Sequence, residues 1–232
     1  METTFDLENE IDFINKYIND INKFKNEYNI LEQDMTHTIP HLHKCIMLSK
    51  KKKFNKLLDY VENYIARFPY TINQVDTCGR SLLHCATLTL QSSISQYFTI
   101  SQFLIDHNCN VNLQDTNGLT VLHYICYIFN DENKLKAVRL MIDSGAIVNT
   151  QNKHGFTPLH IVVMQINNLK IMDDKKTMNE KEIINTFIKA GANLNLQNKL
   201  GYSVYHILGQ KYGVKFIVKI KNDLINKPIS KL

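Results

Sequence analysis

The chain has 232 residues, 44% of them hydrophobic, and a formal net charge of +5. That apolar share is enough for a packed core and excludes a disordered chain. No apolar run reaches the roughly 18 residues needed to cross a bilayer, and the acidic start lacks a signal-peptide core, so a cytoplasmic protein is expected, with the nucleus as the alternative.

The first predicted element is an amphipathic helix within residues 1–35. Leu7, Ile11, Ile14, Ile18 and Ile21 alternate steps of four and three, which places them on one helical face. Acidic residues crowd its start, as suits a helix N-terminus. A cap on the next element is the expectation. A dimerising coiled coil, and with it a self-associating scaffold, is the alternative, although the stripe is shorter than the three to four heptads such pairing wants.

Residues 36–75 follow as a degenerate unit. Pro40-His41-Leu42-His43 starts a helix that is expected to end near Leu48. Lys50 to Lys53 form a turn, and Phe54, Leu57, Leu58, Val61 and Ile65 give a second helix its apolar face. Pro69 is placed in the loop that follows.

Then one local device recurs. Gly155-Phe156-Thr157-Pro158-Leu159-His160 reads as turn, cap and helix start. Gly155 can take a positive φ in a tight turn, Thr157 is a good N-cap, and Pro158 falls where its missing N–H costs nothing. Gly79, Gly118 and Gly201 open the same pattern, each with a histidine five residues on: His84, His123 and His206, matching His160. Ser or Thr stands three residues before each of these histidines. Asn73, Asn112, Asn149 and Asn195 stand six before the glycine, and Asp76, Asp115, Asn152 and Asn198 stand three before it. The units are bounded as 76–114, 115–151, 152–197 and a closing 198–232. Their second helices are expected to end at Ile105, Ile142 and Ile188, and Gly209 and Gly213 to flank the turn inside the last unit.

These residues resemble the ankyrin-repeat family, whose pattern is Asp-x-x-Gly-x-Thr-Pro-Leu-His-x-Ala, two helices, then Gly-Ala-x-Val-Asn. Thr157-Pro158-Leu159-His160, Gly145-Ala146-Ile147-Val148-Asn149 and Gly191-Ala192-Asn193-Leu194-Asn195 match it. The resemblance covers roughly residues 36–224. It implies an all-α solenoid of helix-turn-helix units with short β-hairpin loops. The histidines from His43 to His206 are spaced 41, 39, 37 and 46 residues apart, against a usual period of about 33. The excess is placed between the two helices of each unit, around residues 91–97, 130–133 and 167–179, the last a polar loop that includes Lys175 and Lys176. This irregularity resembles the ankyrin proteins of poxviruses and giant viruses. The abundance of Asn, Ile and Lys, at 26, 27 and 24 residues, points the same way, to an A/T-rich genome.

The resemblance implies a partner rather than a reaction. Its hairpin tips and inner helix face bind another protein. By position the tip residues are Thr77, Cys78 and Arg80, Thr116, Asn117 and Leu119, Lys153, His154 and Phe156, and Lys199, Leu200 and Tyr202. Leu119, Phe156 and Tyr202 are the expected anchors, since an exposed large side chain suits a hot spot. A modulator of host signalling, in the manner of the ankyrin inhibitors of NF-κB-type transcription factors, is the narrower reading. The family's Val-Asn slot, where an asparaginyl hydroxylase can act, is filled by Asn112, Asn149 and Asn195, without the acidic residue usual two positions before.

Other chemistry is weaker. The recurring histidines fall one unit apart, so they form a ladder rather than one catalytic site, and no enzyme activity or cofactor is expected. His41, His43 and Cys45 alternate, and alternate helical positions point about 200° apart, which argues against a metal. The odd set of five cysteines, without paired Cys-x-x-Cys spacing, suggests neither a disulfide framework nor zinc; Cys85 and Cys126 are expected to be small buried hydrophobes. Lys50 to Lys53 could mark nucleic-acid binding or nuclear import, but no aromatic platform accompanies them. The chain is expected to be a monomer.

Overall fold

A computed structural model describes residues 42, 43, 46, 54–90, 93–129, 131–165 and 175–212. By contacts the chain divides into Met1–Ile39 and Pro40–Leu232, and every described residue lies in the second unit. The expected N-terminal helix, the lysine turn, His41, Cys45 and Gly213 therefore lie outside the described residues.

Eight helices have bounds here. They are α1 (Phe54–Arg67), α2 (Leu82–Leu90), α3 (Ile94–Asp106), α4 (Val121–Ile128), α5 (Asp131–Asp143), α6 (Pro158–Gln165), α7 (Lys175–Lys189) and α8 (Val204–Tyr212). Residues 42, 43 and 46 are also helical. Each of α2, α4, α6 and α8 starts directly after its Ser or Thr, as the cap residues predict. Helices α2, α4, α6 and α8 pack in succession. Helix α3 packs on α2, α5 on α4 and α7 on α6, while α5 also packs on α7. One core runs through them from Leu42 and Ile46 to Ile207 and Leu208.

The second helices end one residue beyond expectation, at Asp106, Asp143 and Lys189. Two of these ends close with a glycine in the left-handed region, Gly145 and Gly191, whose N–H bonds three residues back while the next N–H reaches five back. The third end does the same with Asn108, at φ 62°, a residue whose short amide tolerates that conformation. The Gly-Ala motif is absent there, but the geometry is kept.

Several expectations need correction. Residues 94–97, 131–133 and 175–179 belong to α3, α5 and α7, so much of the inserted length extends helices, and Lys175 and Lys176 start one. Pro69–Asn73 is a 3-10 turn rather than plain loop, with Pro69 in its first turn. Gly209 lies inside α8. The hairpins are real as turns, but no strand forms among the described residues; one isolated bridge joins Gln197 and Ser203.

Candidate functional site

Each hairpin is built by its Asx residue. One oxygen of Asp76 accepts the N–H groups of Cys78 and Arg80, both at 2.9 Å. Asp115 does the same for Asn117 and Leu119, Asn152 for His154 and Phe156, and Asn198 for Leu200 and Tyr202, all within 2.8–3.0 Å. The turn is closed again by its backbone, from Asp76 N–H to Arg80 C=O at 3.0 Å and at the three equivalent positions at 2.9 Å. A short side chain that satisfies two backbone donors mimics a further turn, which is why Asp and Asn fill this position.

Adjacent hairpins are tied tip to tip. Thr116 N–H donates to Cys78 C=O, Lys153 to Asn117 and Lys199 to His154, each at 2.9 Å. The tip backbone is thus fixed while its side chains differ in exposure. Thr77, Thr116, Lys153, His154, Lys199 and Leu200 are exposed, and Leu200 is the most open apolar one at 56%. Asn117, Cys78 and Tyr202 are half-buried.

Three expected tip residues do not face outward. Arg80, Leu119 and Phe156 are only 3%, 4% and 7% exposed. They follow the turn glycine, where the chain has already turned back, and their carbonyls accept from the histidine of the preceding unit. Arg80 is held there by Asp76, whose second oxygen accepts Nε at 2.8 Å and Nη2 at 2.7 Å. As outward anchors Leu119 and Phe156 are therefore withdrawn, and Arg80 with them. Phe156 lies edge-on to the ring of His160.

The histidines are structural. Nδ1 of His84 accepts the N–H of Ser81 at 3.1 Å, and its Nε2–H donates to Leu119 C=O at 3.1 Å. His123 joins Thr120 to Phe156, and His160 joins Thr157 to Tyr202, in the same way. The Ser or Thr hydroxyls lie 2.8–2.9 Å from the same Nδ1 atoms. Histidine here takes the part that Glu or Gln plays in a capping box, and the ring's far side welds the next unit. An Nδ1 that accepts a backbone N–H has no proton of its own, so these rings are neutral with hydrogen on Nε2. Burial holds them so: it pushes His84 down to about 3 and His123 to about 4, while His43 and His160 are also lowered by burial.

His43 keeps half of the device. Its Nε2–H donates to Arg80 C=O at 2.9 Å, but its buried Nδ1 meets no partner. Pro40, in the slot that Ser or Thr fills elsewhere, has no amide hydrogen to give.

Sequence reasoning missed two further ladders. Asn112 donates to Gly145 C=O at 3.0 Å and accepts Ile147 N–H at 2.8 Å; Asn149 does likewise with Gly191 and Asn193 at 2.9 and 2.7 Å. Gln114 donates to Gly118 and Gln151 carbonyls, and Gln151 to those of Gly155 and Gln197. The recurring Gln one residue before the Asx was the available signal.

Cys85 and Cys126 are fully buried, and burial pushes both thiols up to about 12. Among the described residues no group of three His, Cys, Asp or Glu is placed to hold a metal, and no helix is long and apolar enough to cross a membrane.

Comparison with known families agrees with this construction. The family model described as ankyrin repeats in three copies matches residues 91–173, and the single ankyrin-repeat model matches residues 154–199. The comparison with curated proteins gave no match.

Proposed function

The chain carries ankyrin repeats, and from that premise we propose that it is a non-enzymatic module that binds another protein through the row of exposed hairpin tips. Ankyrin repeats indicate protein–protein interaction, and the finer reading concerns where this chain makes contact. The observation that carries it is the contrast between fixed backbone and open side chains at Thr77, Thr116, Lys153, His154, Lys199 and Leu200. A surface already rigid before binding loses little freedom on contact, which favours affinity. Lys153 and Lys199 occupy neighbouring tips, and no acidic side chain is exposed among the tips, so the partner segment is acidic, with an apolar residue for Leu200. Half-buried Tyr202 and Asn117 border the same row.

The test is affinity capture with the full chain, comparing wild type with a Lys153→Glu, Lys199→Glu variant. A control reverses Arg139 on α5, which pairs with Glu182 of α7 away from the hairpins. Loss of the same partner in the tip variant, with retention in the control, supports the reading. Retention in a folded tip variant overturns it.

A further inference from the structure

A recurring set of polar groups closes the junctions between neighbouring repeats. The carbonyl before the turn glycine (Cys78, Asn117, His154) receives the next hairpin's N–H. Asn112 and Asn149 each bond the next loop in both senses. Gln114 and Gln151 reach the next unit's carbonyl at 3.3 and 2.9 Å. His84, His123 and His160 each give Nε2–H to the next hairpin.

At the last described hairpin the corresponding groups are the Leu200 carbonyl and the side chains of Asn195, Gln197 and His206. All four residues are exposed, and none of these groups bonds to a following unit among the described residues. The turn glycines point the same way. A Cβ on Gly79, Gly118 or Gly155 would meet the next hairpin's backbone at 2.8–3.2 Å, whereas Gly201 has nothing within 4 Å. The His206 ring is nonetheless set: Nδ1 accepts Ser203 N–H at 3.1 Å, which leaves Nε2–H directed away from its own turn.

We infer that this edge is a docking site for a hairpin of the Asx-x-x-Gly form carried by a second, different polypeptide. Such a hairpin supplies an N–H to Leu200 C=O and carbonyls to Gln197 and His206, whereas the asparagine bonds go to the loop before the hairpin and are not part of this contact. The edge continues three junctions that share the backbone and histidine bonds, two of which add the glutamine bond, and that continuity specifies the chemistry of the occupant. Addition of main chain to an open hydrogen-bonding edge is a general mode of peptide recognition. A second copy docked head to tail fits less well. Its first described hairpin already has the Arg80 carbonyl engaged by His43, which covers the side that would have to dock.

The test titrates the full chain with a backbone-cyclised peptide carrying the sequence of residues 114–120 and follows the protein by NMR. Saturable shifts are expected at Gln197, Leu200 and His206, with Thr77 unmoved. Affinity should fall at least about fivefold in His206→Ala, the scale of one lost hydrogen bond. His206 also caps α8, so Gln197→Ala, an exposed side chain without a bond of its own among the described residues, is measured beside it and should weaken binding similarly. No shift at millimolar peptide, or unchanged affinity in both folded variants, overturns the inference. Self-association of the chain that both variants abolish would assign the edge to a second copy and overturn the choice of partner.

Discussion

Gly155→Ala, compared with Gly201→Ala, measures how tightly neighbouring hairpins are pressed together. Both glycines hold nearly the same left-handed backbone, at φ 81° and 84°. An alanine in that region costs about 1–2 kcal/mol at either position. Their surroundings differ. At Gly155 the new Cβ would stand 2.8 Å from Asn198 Cα, 2.9 Å from Lys199 N and 3.0 Å from Asn198 C, all backbone, while at Gly201 it meets open space. Backbone cannot rotate aside as a side chain can, and forced overlap of this kind adds about 1–3 kcal/mol. The same displacement stretches the 2.9 Å bond from Lys199 N–H to His154 C=O. Gly201→Ala should therefore lose about 1–2 kcal/mol and Gly155→Ala about 2–5 kcal/mol. Urea unfolding of both full-length variants against wild type reads the difference. Equal losses would refute the claim that the hairpins are in backbone contact.

Acid should weaken the fold through its histidines. Burial pushes folded His84 and His123 down to about 3 and about 4, below the ordinary 6.5, so the unfolded chain binds more protons between those values. Their contribution is complete above pH 6.5 and falls by about 1.4 kcal/mol per pH unit for each as pH drops towards 4. Asp115, whose carboxyl burial pushes up, acts in the opposite sense at acid pH. Denaturant midpoints at pH 7 and 5 check the sign, and a more stable protein at pH 5 would contradict it. Arg80→Met should cost about 3–5 kcal/mol, because it leaves Asp76 buried without its counter-charge. Thr77→Ala, at the exposed tip of the same hairpin, should stay within about 0.5 kcal/mol, and urea unfolding of both variants checks the pair. Finally, Tyr124 donates to Asp115 at 2.8 Å, but the corresponding Asn152 has a buried Nδ2 without a partner, and Ile161 stands where the tyrosine would be. Asn152→Asp alone should destabilise, and Ile161→Tyr should rescue it, giving a favourable coupling of about 0.5–1.5 kcal/mol in a double-mutant cycle.

The helix starts were legible because each is specified locally by a Ser or Thr cap and a histidine three residues on. The second-helix ends at Asp106, Asp143 and Lys189 were legible to one residue from the last apolar position. The orientation of the residue after the turn glycine was not. That position holds Arg80, Leu119, Phe156 and Tyr202, a mixture with no polarity signal. Arg80, Leu119 and Phe156 are buried while Tyr202, whose carbonyl accepts from His160 in the same way, is half-buried, so exposure here depends on units distant in sequence. The extra length was also ambiguous. A period longer than usual counts residues but does not say whether they lengthen a loop or a helix, and α3 and α5 at 13 residues each and α7 at 15 absorbed much of it. Asn108 escaped notice because a single asparagine can replace the Gly that normally marks a helix end.

The most direct test of recognition at the hairpin tips is a footprint on the full chain: hydrogen exchange and lysine labelling with and without a captured partner. The account predicts protection centred on 77, 116–117, 153–154 and 199–200, with Lys153 and Lys199 losing reactivity and the outward residues of α3, α5 and α7 unchanged. Protection confined to those helices, with both tip lysines still fully reactive, would contradict it.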